Sequence, residues 1–160
     1  MKDKLRLYIE ENLSINTFKR SRFAKLDLME ELAVGSSYSS IDNYIDDNKD
    51  DNKFQKLLFS YIDNRGLKDS DVYNKVNIDR RLFSKIRNDN YHPGKDTIIK
   101  LAIALNLSID ELEELLSSAS YSLPKNNERD LIIRFSFINK IYNIDTINDF
   151  LYDYNVSILD

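Results

Sequence analysis

Apolar residues recur at helical spacing through most of this chain, and the elements they predict are helices joined by short turns. From Met1 to Asn12, Leu5, Leu7, Tyr8 and Ile9 cluster on one side, Leu13 continues the stripe, and Glu10 and Glu11 stay outside. Ser14 to Asn16 is expected to break that helix. Phe18 to Phe23 follows as a basic stretch with aromatic ends, and Asp27 to Val34 reads as a short helix with Leu28, Leu32 and Ala33 inward. Residues 1–34 thus form an N-terminal helical arm. The pattern then lapses. Residues 35–53 hold Ser36, Ser37, Ser39 and Ser40, then Asp46, Asp47, Asp50 and Asp51, with little to bury beyond Tyr38, Ile41, Tyr44 and Ile45. That composition predicts an acidic, Ser-rich flexible linker.

From Phe54 the periodicity strengthens. Leu57, Leu58, Tyr61 and Ile62 form one face, stopped at Arg65 and Gly66. A short second helix after Lys68 and Asp69 turns Val72 and Tyr73 inward, and Asn74 to Asn77 makes a tight turn before Ile78. Asp79 can cap a third helix from Arg80, with Leu82, Phe83 and Ile86 on the buried face and Arg81, Ser84, Lys85 and Asn88 opposite. A loop from Asn88 to Gly94 leads to a fourth helix, Thr97 to Leu105, with Ile98, Leu101, Ala102 and Leu105 inward and Asn106 as its end. Ser108 with Glu111 three residues later is a capping box for a fifth helix carrying Leu112, Leu115 and Leu116. After Pro124, Asp130 to Asn139 and Asp145 to Tyr154 give two further amphipathic stretches. The fold class expected is all-α, with a five-helix core at residues 54–118, the N-terminal arm, and two extra C-terminal helices at residues 119–160.

Composition agrees. Three Gly and two Pro in 160 residues favour helices over sheets, and 42% apolar content suffices for one core. The absence of Cys excludes a disulfide framework and thiolate metal sites and fits a reducing compartment. No stretch approaches the roughly 20 apolar residues that span a bilayer, so the expectation is a cytoplasmic protein without a membrane partner. The net charge of -4 argues against a generic nucleic-acid coat. Its distribution changes that picture: Asn74 to Lys100 carries seven Lys and Arg against three Asp.

The order of parts in this segment is specific. A helix begins Arg80-Arg81 and continues Phe83-Ser84-Lys85-Ile86-Arg87; a loop with Pro93 follows; then comes Leu101-Ala102-Ile103-Ala104-Leu105-Asn106-Leu107-Ser108-Ile109-Asp110-Glu111-Leu112. It resembles the lambda-repressor-like (Cro/repressor) helix-turn-helix superfamily, over about Phe54 to Leu116. With its flanks the chain also resembles a helical module of Firmicutes proteins that is often joined to effector domains. The first resemblance implies a third helix that enters the major groove and a second that crosses the backbone. Carried over by position, Asp79, Arg80, Arg81, Ser84 and Lys85 take the base-facing or phosphate-facing places, with Arg87 and Lys95 adding to the nucleic-acid surface. Two departures stand out: Asn77 replaces the usual turn Gly, and Asp69, Ser70 and Asp71 stand where a phosphate-contacting Gln is common.

Arg and Lys suit this role because an Arg fork pairs with guanine and both cations hold phosphates. A solvated helix face is the plainer alternative. His92, the sole histidine, sits beside Pro93 without the partners of a catalytic dyad or metal cluster. The run Asp46 to Asp51 lacks the oxygen spacing and turn Gly of a calcium loop. Phe18 to Phe23 reads as a charged turn, a phosphate-binding arm or a partner peptide. Phe135, Phe137, Tyr142, Phe150, Tyr152 and Tyr154 form either core or a docking surface. No glycine-rich phosphate loop, His pair or Ser elbow is present, so no catalytic residue, cofactor or metal is expected and the chain reads as a non-enzyme. Two functions follow. One is a transcription regulator on double-stranded DNA, with room for a homodimer. The other is a protein-interaction module or small inhibitor in phage–host conflict, meeting its partner through the acidic flanks.

Overall fold

The computed structural model describes residues 1–23, 41, 43–45, 52–88 and 91–160, with the side chains of residues 14–23 left out. Among the described residues the structure is all-α and holds no strand. The helices are α1 (Lys2–Phe23), α2 (Lys53–Asn64), α3 (Asp69–Lys75), α4 (Arg80–Ile86), α5 (Lys95–Ala104), α6 (Ile109–Ser118), α7 (Glu128–Ile138) and α8 (Ile144–Asp153). No helix among the described residues is long and apolar enough to cross a membrane.

Helix α1 is longer than the apolar pattern suggests. The expected break at Ser14 to Asn16 is absent, and the backbone stays helical to Phe23. A Ser-Ile-Asn triplet lowers helix propensity by tenths of a kcal/mol per residue but removes no backbone hydrogen bond, and the segment has no Gly or Pro to stop it. Leu5 and Ile9, one turn apart, are the buried pair, while Leu7 is 59% exposed because it points away from them. The expected helix at Asp27 to Val34 and most of the expected linker lie outside the described residues. Residues 41 and 43–45 within that stretch are helical, with Ile41, Tyr44 and Ile45 exposed.

Six helix ends use one device. Gly66, Asn77, Asn106, Ser120, Lys140 and Asn155 take the left-handed conformation, with φ from 51° to 62°. The apolar or aromatic residue after each (Leu67, Ile78, Leu107, Tyr121, Ile141, Val156) sends its N–H back to the carbonyl of Ile62, Tyr73, Ala102, Leu116, Ser136 or Leu151 at 2.8–3.2 Å. This is the Schellman closure, which satisfies orphan carbonyls and pins an apolar residue under the helix end. In three cases the next residue, Lys68, Asp79 or Ser108, is the N-cap of the following helix. A left-handed residue, an apolar residue and a cap therefore suffice to turn the chain. At Ser108 the capping box expected from the sequence is present, with Glu111 N–H donating to Ser108 Oγ at 3.2 Å and Ser108 N–H to Glu111 Oε2 at 2.7 Å.

Around these turns α2 packs on α6, α3 and α6 pack on α5, and α3 meets α4. Tyr61 Oη donates to Glu114 at 2.8 Å and Arg65 Nη2 donates to Glu111 at 3.0 Å, which joins α2 to α6.

The C-terminal helices are more than an extension. Asp130 through Phe137 are all buried, so α7 has almost no solvent face. It packs against α1, α6 and α8, and Tyr8 of α1 lies against Phe135 with ring centres 5.6 Å apart. Most of its buried polar groups are served from inside the chain, although Arg134 Nε is buried with no hydrogen-bond partner among the described residues. Asp130 accepts from Lys95 Nζ at 2.7 Å and from Asn127 Nδ2 at 2.8 Å. Arg134 pairs with Glu113 and donates to the Leu123 carbonyl at 2.9 Å, and Ser136 Oγ donates to the Ile132 carbonyl at 2.9 Å. Ile138 is 49% exposed at the last turn.

Removing one partner of a buried ion pair strands the other, so Asp130→Ala should cost about 2 to 4 kcal/mol of unfolding free energy, read from urea titration. A cost no larger than that of a surface substitution would show that α7 is not held through this carboxylate.

Burial first, and then the hydrogen bond to Glu114, push the Tyr61 hydroxyl from its ordinary 10.0 up to about 12. The fold favours the neutral phenol, so this contribution is whole below pH 10.0 and drains away as pH rises to about 12. Burial raises Tyr8, Tyr142 and Tyr154 in the same direction. Tyr61→Phe should therefore flatten, without abolishing, the alkaline loss of stability in denaturant midpoints. Superimposable curves for the two proteins would remove Tyr61 from the linkage.

Candidate nucleic-acid interface

Helices α3 and α4 are each only seven residues long. Helices this short do not hold themselves together in water, so their packing and caps must do so. The turn between them is Val76, Asn77, Ile78 and Asp79. Asn77 sits at φ 52°, the left-handed place for which glycine is common and asparagine the next best substitute. The Ile78 N–H reaches back to Tyr73 at 2.9 Å, and Ile78 itself is buried. Asp79 Oδ1 then accepts from the N–H of Arg81 at 2.7 Å and of Leu82 at 3.3 Å. On the inner side of α4, Phe83 and Ile86 are buried and Leu82 is half-buried. Phe83 lies 5.6 Å from the ring of Tyr73 and 6.3 Å from that of Phe59, edge-on in the second case.

With the inner stripe fixed, Arg80, Arg81, Ser84, Lys85 and Arg87 face solvent, as does Asp79. The seven residues expected at a nucleic acid then fall into three groups. Arg80, Arg81 and Lys85 form no ion pair with any described residue, and Ser84 keeps its hydroxyl free of side-chain bonds among them. Asp79 spends its carboxylate on the cap. Arg87 and Lys95 are committed inside the chain. Arg87 grips Asp69 in a fork-to-fork pair, Nε to Oδ2 at 2.7 Å and Nη2 to Oδ1 at 2.5 Å, with its guanidinium 4.4 Å above the Phe59 ring centre. Lys95 answers the buried Asp130 and is only 24% exposed at its side chain. The two differ in strength: Asp130 is buried and needs its cation, whereas Asp69 and Arg87 both reach water and their pair is the weaker one.

An open groove of about 430 Å³ separates the two short helices. Lys68, Asp69, Ser70 and Tyr73 line one wall and Arg80, Phe83, Ser84 and Arg87 the other. Ser70 stands out in the sequence only as a departure from the family pattern, and Lys68 is a groove residue that the sequence does not single out, since nothing local distinguishes it from an ordinary residue at a helix start. Gln55 is another. It is 5% exposed on α2, and its Nε2 donates to the Tyr91 carbonyl at 2.9 Å, which anchors the chain just after α4. A lone Gln beside Phe54 inside an apolar face is the only sequence signal for it.

His92 is exposed and stacks on Tyr121 with ring centres 5.5 Å apart. Among the described residues no group of three His, Cys, Asp or Glu stands where it could hold a metal ion, and Asp46, Asp47, Asp50 and Asp51 lie outside them. Neither models of known families, nor curated proteins, nor solved structures match this chain.

Because a side chain with Cβ but no local hydrogen-bonding group resists positive φ, Asn77→Ala should lose about 1 kcal/mol of stability, while Asn77→Gly should stay within about 0.5 kcal/mol of the parent. Chemical denaturation of the three proteins side by side checks this. Equal stability of the Ala and Gly variants would mean that the turn is not held in the left-handed conformation.

Proposed function

We propose that residues 54–118 form a lambda-repressor-like helix-turn-helix domain that binds double-stranded DNA as a cytoplasmic transcription regulator, laying α4 in the major groove. Support comes from five helices, α2 to α6, in the family's order, and from the short turn, closed by the Asp79 cap, that joins α3 to α4. The observation that carries the reading is chemical: Arg80, Arg81 and Lys85 stand exposed on one short, well-anchored helix with no carboxylate paired to them among the described residues. Arg80 and Ser84, one turn apart, form one stripe and Arg81 and Lys85 the next, so two parallel rows reach outward. Arg forks read guanine edges, and Lys and Ser hold phosphates. Arg87 and Lys95 are not part of this reading surface in the free protein.

Fluorescence anisotropy with duplexes drawn from the chain's own upstream DNA tests this. Arg80→Ala with Arg81→Ala should weaken binding by at least about tenfold, given 1 to 3 kcal/mol for each specific Arg contact, and should make the plot of log affinity against log salt shallower. Binding unchanged by the double substitution would take α4 out of the mechanism.

A second reading, a protein-interaction module, is favoured by the neutralisation of Arg87 and Lys95 within the chain. It expects a defined protein complex that survives nuclease treatment, together with no duplex affinity at low salt.

A further inference from the structure

The Asp69–Arg87 pair lies at the rim of the groove between α3 and α4, and both side chains reach water, at 34% and 51% exposure. An ion pair this exposed contributes about 1 kcal/mol or less, so it can be exchanged. When the pair opens the guanidinium keeps a second neighbour, because its central carbon lies 4.4 Å from the Phe59 ring centre in a cation–π contact that does not involve Asp69. The fork that Asp69 fills is the fork a phosphodiester fills, since both offer two anionic oxygens at similar spacing. Beside it in the groove stand Lys68 and Arg80, neither ion-paired among the described residues, and the hydroxyls of Ser70 and Ser84. Three cations thus share the groove with one carboxylate, and that carboxylate is held by the pair that can open.

We propose that this groove is a phosphodiester-binding site in which Asp69 is the resident counter-ion of Arg87, displaced when a backbone phosphate of bound duplex DNA arrives. The inference rests on the duplex reading and adds to it a brake: Asp69 keeps Arg87 shaped for phosphate while lowering affinity for any duplex, whatever its sequence. Arg87 contacts the ligand, and Asp69 acts through it as a positioning residue.

The test measures binding of a mixed-sequence duplex across a salt series for the wild type, Asp69→Asn, Arg87→Ala, the Asp69→Asn/Arg87→Ala pair, and Arg80→Ala/Arg81→Ala. Asp69→Asn is expected to bind more tightly, with a log–log salt slope steeper by about 0.9, so that its advantage shrinks about 3.5-fold for each fourfold rise in salt. Adding Arg87→Ala should cancel both the gain and the extra slope. If wild-type binding is lost in Arg80→Ala/Arg81→Ala but Asp69→Asn leaves the slope unchanged, the brake is overturned while the duplex reading stands. A gain that persists without Arg87 overturns the brake in the same way, since the carboxylate would then act only as a general charge. If neither wild type nor Asp69→Asn binds duplex at low salt, both fail together. Should Asp69→Asn not fold, Asp69→Ser decides in its place: a slope steeper by about 0.9 supports the brake, and an unchanged slope overturns it.

Discussion

A helix buried from Asp130 through Phe137 obliges the charged groups in that run to find partners inside the chain, and much of this molecule is arranged around that obligation. Asp130 and Arg134 are 5% and 6% exposed on α7, so leaving either unpaired would cost several kcal/mol. Asp130 takes Lys95 from the start of α5, and Arg134 takes Glu113 from α6 and the Leu123 carbonyl from the segment between α6 and α7. These bonds tie the central helix to two helices of the preceding segment, and α1, with Leu5 and Ile9 buried, packs on it as well. The pairs fix which way α7 is rotated, and apolar contacts supply most of the stabilisation.

The same obligation decides which cations remain for other work. Lys95 is engaged by the buried Asp130, and Asp96 beside it is taken by Arg129 at 2.8 Å. Arg87 is drawn to Asp69 and Phe59. What is left outward-facing on α4 is Arg80, Arg81 and Lys85, three cations in a chain of net charge -4. At physiological salt charges are screened over about 8 Å, so the acidity of the whole matters little to a group in contact with that helix and more to one approaching from a distance. On the duplex reading, association is therefore slow to be steered but local contacts are intact once made.

Local devices are legible in the sequence. Asp79 and the Ser108–Glu111 capping box act within three residues, as do the turns built on Asn77 and Asn106, so their chemistry is written in adjacent letters. The amphipathic stripes of α2, α4, α6 and α8 are legible for the same reason. Position in space is not. The Lys95 partner lies 35 residues away and the Arg87 partner 18 residues back, and no periodicity announces either. Helix α7 illustrates a further limit: its buried Asp130 and Arg134 look like a polar face, because sequence polarity cannot tell a solvated charge from a paired one. Leu7 errs the opposite way, an apolar residue counted inward that faces water.

The division of the seven expected contact residues follows from how α4 is held. A seven-residue helix presents side chains reproducibly only if its backbone is fixed from below, and here Phe83, Ile86 and the Asp79 cap fix it. Rows at positions 80 and 84, and 81 and 85, point away from those anchors and have no ion-pair partner among the described residues. Position 87 lies just past the helix end, close enough to α3 for Asp69 to reach it. The outward face is thus graded: fully open cations at the start of the helix, and at its end a cation held in a shape that suits an anion yet is already matched. A surface built only for solubility has no need to stack its terminal Arg on an aromatic ring, and on the duplex reading that stacking is what lets one anion replace another at little cost.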